Sequence, residues 1–73
     1  MNEYMYFKTG YENFCKVDKL TKKIKDEMKD LIRQFNIWYE LGADKQDVNI
    51  KNLKSDYYRA SLIVIGEKKK DER

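Results

Sequence analysis

The 73-residue chain has no histidine, no proline, one cysteine and three glycines. Each scarcity excludes something. Without histidine there is no Ser-His-Asp triad, no Cys-His pair and no His-ligated metal site. A single cysteine, Cys15, forms no internal disulfide and no CxxC pair, and fits a reducing compartment. The glycines Gly10, Gly42 and Gly66 are too far apart for a phosphate-cradling loop. No apolar run approaches the ~18 residues of a membrane span, and the start lacks a basic segment followed by an apolar one. The expectation is a cytoplasmic, non-enzymatic protein without metal or cofactor.

What is present is charge and rings. Charged residues are 40% of the chain, yet 16 basic residues face 13 acidic ones, for a net charge of +3. Disorder pairs low hydrophobicity with high net charge, a combination this chain lacks. Aromatics are 14% and include six tyrosines. A domain this small has a thin core, so large rings must supply much of it. Phe, Tyr, Met, Ile, Asn and Lys make up about half the residues. Their codons are AT-rich, which points to the genome of a low-GC bacterium or its phage.

The pattern along the chain predicts an α+β domain over residues 1–66 and a charged, disordered tail at 67–73. Residues 3–8 (EYMYFK) are aromatic and favour a strand; Thr9-Gly10 breaks the run; residues 11–17 (YENFCKV) alternate again. Two such runs around a Gly-containing turn read as a hairpin. The competing reading takes Glu12 onward into the first turn of the next helix. That helix has the strongest signal. Val17, Leu20, Ile24, Met28, Leu31, Phe35 and Trp38 recur at helical spacing, from an Asp18 N-cap to a left-handed Gly42. Trp38 belongs to its buried face. Val48 to Lys51 and Tyr57 to Ile65 read as further strands. The expected order is ββαββ, or βαββ if the first hairpin fails, with one long amphipathic helix on one face of a small antiparallel sheet.

Three surfaces stand out. Lys16, Lys19, Lys22, Lys23 and Lys25 crowd the expected helix start with only Asp18 against them, an attractive place for phosphate. The plain reading is a solvated face with Lys22–Asp26 and Lys23–Glu27 pairs. On the outer sheet face, Lys51, Tyr57 and Arg59 (with Asn49) would make a base-stacking platform. Lastly, Ile37 and Leu41 lie away from the core arc of the helix, and Ile63 and Ile65 on the sheet face away from it. With Trp38 they form the candidate interface. Such apolar surplus predicts a homodimer or another symmetric oligomer, or a partner protein that covers it. Cys15 is expected to be a small buried hydrophobe. The leading expectation is an interaction module that binds and modulates a host or partner protein. The alternative binds nucleic acid or a small phosphorylated nucleotide through the lysines and the Tyr/Arg face.

Overall fold

The computed structural model describes residues 2–65; the predicted tail at 67–73 lies outside them. Among the described residues there is no strand. Three helices follow one another: α1 (Glu3–Lys16), α2 (Lys22–Leu41) and α3 (Val48–Val64). The expected α+β sheet fold is therefore wrong, in both its ββαββ and βαββ forms. The molecule is an all-helical three-helix bundle.

Each misread segment carries a helical period under its aromatic content. In α1, Tyr4, Phe7, Tyr11 and Phe14 recur at steps of three and four, and all four join or flank the core. Asn2 caps the helix, its side chain accepting from the Met5 N–H at 2.8 Å. Gly10 is no turn. It lies inside α1 with no left-handed backbone, and a Cβ there would stand 2.4 Å from Cδ2 of Leu31. The missing side chain lets Leu31 of α2 press onto the α1 backbone.

In α3, Ile50, Leu53, Tyr57, Ala60 and Val64 are buried at steps of three, four, three and four. Asp47 caps this helix by accepting from the Asn49 N–H at 2.8 Å. The apparent alternation at 57–65 arose because nearly every residue there is apolar, so period two and period 3.6 both fit.

The α2 helix is the expected one, with different ends. It begins at Lys22, not Asp18, because the Thr21 hydroxyl accepts from the Ile24 N–H at 3.2 Å. Val17 consequently falls outside it and is exposed. It does end at Gly42, but with φ −143° rather than a left-handed angle. The last turn closes through the Gly42 and Ala43 N–H groups, which donate to the Trp38 carbonyl at 2.9 and 3.1 Å.

The centre is a ring cluster. Phe35 is fully buried and stacks on Tyr57 at 4.3 Å between centroids, with Phe7 edge-on to both at 5.4 and 6.1 Å. The Tyr57 hydroxyl donates to the Phe7 carbonyl at 2.5 Å, tying α3 to α1 across fifty positions of sequence. Trp38, expected to be largely buried, is partly buried against the cluster, 5.3 Å from Phe7. These contacts set the direction of each helix. α2 runs against both α1 and α3, so its two flanks form two separate grooves.

Candidate functional site

Among the described residues, α1 and α2 enclose a groove. Two adjoining cavities, of about 260 and 250 Å³, share Gly10, Asn13, Glu27 and Leu31 and run from Tyr6 and Gln34 at one end to Val17 and Ile24 at the other. Phe14, Ile24, Met28 and Leu31 give an apolar floor, and Thr9, Asn13 and Gln34 a neutral polar wall. The charged side chains that line it are both acidic, Glu27 and Asp30. Asp30 is held in place by Arg33 and by Gln34, whose amide donates to it at 2.7 Å. From Tyr6 to Val17 the lining of α1 extends for about 17 Å at 1.5 Å per residue.

A hairpin over residues 3–17 leaves no such groove, because it takes Gly10 as a turn and Asn13 as a strand position. The spacing of Tyr4, Phe7, Tyr11 and Phe14 was the signal that would have found it.

The α2–α3 groove differs. A cavity of about 120 Å³ lies between Ile32 and Asn36 on α2 and Lys54, Tyr57, Tyr58 and Ser61 on α3. The ammonium groups of Lys45 and Lys54 both lie 5.2 Å from the centroid of the Tyr39 ring.

The predicted site residues scatter. Lys16 ends α1, Lys19 lies in the connection, and Lys22 and Lys23 open α2; all four are exposed at one end of the bundle. Lys22 pairs with Asp26 at 3.1 Å, as the plain reading expected. Tyr57 is core and not platform, and burial pushes its phenol well above the ordinary tyrosine range. Arg59 is paired with Asp56 at 2.6 Å, whereas Lys51 is exposed on α3. Loss of the sheet therefore removes the predicted stacking platform. Ile37 and Leu41 are 53% and 83% exposed, opposite the buried face of α2. Ile65 is exposed and Ile63 partly buried, but both lie at the far end of α3. Because α2 and α3 run oppositely, the two pairs occupy opposite ends and make no single patch.

Cys15 is exposed, not buried. It faces Tyr11 one turn back, and a hydrogen bond between them, helped by burial, pushes the Tyr11 phenol upward. Among the described residues no three His, Cys, Asp or Glu side chains gather as a metal site, and no helix is long and apolar enough to cross a membrane. No family model, curated protein or solved structure matches the chain.

Proposed function

We propose that the protein is a small interaction module whose α1–α2 groove receives one amphipathic helix of a partner protein. The observation that carries this is the groove itself: about three helical turns long, apolar along its floor at Phe14, Ile24, Met28 and Leu31, with Glu27 and the Arg33-paired Asp30 as its lining charges. A helix laid in such a groove buries side chains at i, i+3, i+4 and i+7. The acidic edge selects a helix with lysine or arginine beside that apolar ridge. Docking would turn three helices into four and enlarge a core that is thin at this chain length. The module acts by occupancy, covering or reorienting the bound segment, and needs no reacting group. A cytoplasmic setting is supported by Cys15, a lone exposed thiol.

Photo-crosslinking from the groove tests this. With benzoylphenylalanine in place of Asn13, the protein should capture a partner in cells of its source. The crosslink should map to a basic amphipathic segment. The same probe at Asn52, on the exposed side of α3, should not capture that partner. Identical capture from both positions, or a crosslink to an acidic or extended segment, would overturn the proposal.

A further inference from the structure

A second surface lies on the other flank of α2, independent of the α1–α2 groove. Steps of three and four place Lys29 on the same ridge as Ile32 and Asn36, which line the α2–α3 groove. Opposite them, Lys51, Lys54, Tyr58 and Ser61 follow one another on α3 at steps of three, four and three. The aspartates within these stretches, Asp30 and Asp56, are off the two ridges and paired with Arg33 and Arg59, and Asp47, one step before Lys51, caps α3. The first acid on the α2 ridge is Glu40, one turn past Asn36, where Lys45 donates to the Glu40 carbonyl at 3.3 Å.

Among the described residues Lys8, Lys22, Arg33 and Arg59 are ion-paired, whereas Lys29, Lys51 and Lys54, like Lys16, Lys19 and Lys23 around the start of α2, have no carboxylate partner. Lys45 and Lys54 instead share the ring of Tyr39, which gathers two like charges at one place. The cavity between the ridges has about the volume of four waters. Lys54 and Asn36 line it, and the Asn36 amide has no partner among the described residues. Beside it the Tyr58 ring is 62% exposed.

We infer that this face binds single-stranded nucleic acid. Lys51 and Lys54 hold phosphodiesters at one end of the groove, Lys29 holds one further along the strand, and a base stacks on Tyr58 between them. The cations stand along one groove, which matches one strand; a duplex has two phosphate rows and no free base face for the ring.

The test is fluorescence anisotropy with a labelled dT20 oligonucleotide. Three phosphate contacts give a log–log salt slope of about −2, so binding should weaken roughly 20-fold between 50 and 200 mM salt. Lys54→Gln should reduce the slope by about 0.7. Tyr58→Ala should cost about tenfold in affinity with the slope unchanged. Both side chains are at the surface, and circular dichroism checks that the variants keep their helices. No binding at 50 mM salt would overturn the inference. So would binding indifferent to both substitutions, which would assign it to the lysines at the start of α2. A 20-base-pair duplex bound as tightly as dT20, or AMP bound as tightly, would overturn the single-strand assignment.

Discussion

The two flanks of α2 are built from one helix and differ in almost every respect. On the α1 side the groove is long and apolar, its lining charges are acidic, and Gly10 lets the backbone of α1 approach Leu31. On the α3 side the cavity is about half the size, more polar and lined by Lys54, Tyr57 and Tyr58, with Lys45 and Lys54 over the Tyr39 ring nearby. A single amphipathic helix has one buried face, but in a three-helix bundle it has two borders. Helical phase alone decides which residues reach which border. Glu27 and Asp30 fall on one and Lys29 on the other, although they are sequence neighbours. Net charge, at +3 for the whole chain, conceals this separation.

The largest way to break the comparison is to remove what both flanks share. Phe35 is fully buried between Phe7 and Tyr57. Phe35→Ala should cost about 3–5 kcal/mol, much of the stability of so small a domain, and abolish both grooves together. Chemical denaturation measures this. A loss below about 1 kcal/mol would mean the ring cluster does not hold the bundle.

A smaller effect joins α1 to α3. In Tyr57→Phe the Phe7 carbonyl keeps its helical partner and loses the phenol, so about 1 kcal/mol should go at neutral pH. The pH dependence has a definite sign. Burial raises the folded phenol above the ordinary value of about 10, so its contribution is complete below about pH 10 and falls as pH rises beyond that. The stability gap between the native protein and Tyr57→Phe should therefore narrow from pH 8 to pH 11. A constant gap would contradict a buried neutral phenol.

Gly10→Ala sharpens the comparison without breaking the fold. The new methyl meets only the end of the Leu31 side chain, which borders open groove and can rotate into it. Strain and the roughly 1 kcal/mol gain in helix propensity should nearly cancel. The melting temperature should stay within about 5 °C, while the α1–α2 groove narrows and the α2–α3 face is unchanged. A fall of 10 °C or more would show that the approach of α1 to α2 is fixed by backbone and not by one rotamer.

The smallest effect is at Ile37. It stands on the solvent side of α2, outside both grooves, so Ile37→Asp should change stability by less than about 0.5 kcal/mol. Sedimentation before and after the substitution tests a homodimer at this position. A concentration-dependent shift lost in the variant would give Ile37 the interface role its sequence position suggested.

The sequence was legible where one period dominated. α2 was recoverable because charged residues separate its apolar positions, so Met28, Ile32 and Phe35 stood out. α1 and α3 were not, for a physical reason. Their runs of Tyr, Phe, Ile and Val are dense enough to fit two periods, and aromatic and β-branched residues tilt that ambiguity toward strand. The absence of proline and the presence of Asn2 and Asp47 as caps were the counter-signals. The lysines at the start of α2 and the exposure of Ile37 and Leu41 are readable from helical phase and charge, whereas Ile63 and Ile65 were paired by a strand phase the helix does not have. The grooves were not, because each needs two helices in register and one of the two had been read as strand.

The separation of the two flanks is tested most directly by amide chemical-shift mapping on one labelled sample. The first titrant is a 14-residue amphipathic peptide with leucines at i, i+3, i+4 and i+7 and lysines on both borders. The second is dT20. The peptide should shift Gly10, Asn13, Glu27 and Leu31 and leave Lys54 and Tyr58 in place. The oligonucleotide should do the reverse, and each should bind in the presence of the other. Overlapping shifts, or displacement of one ligand by the other, would contradict two independent surfaces on α2.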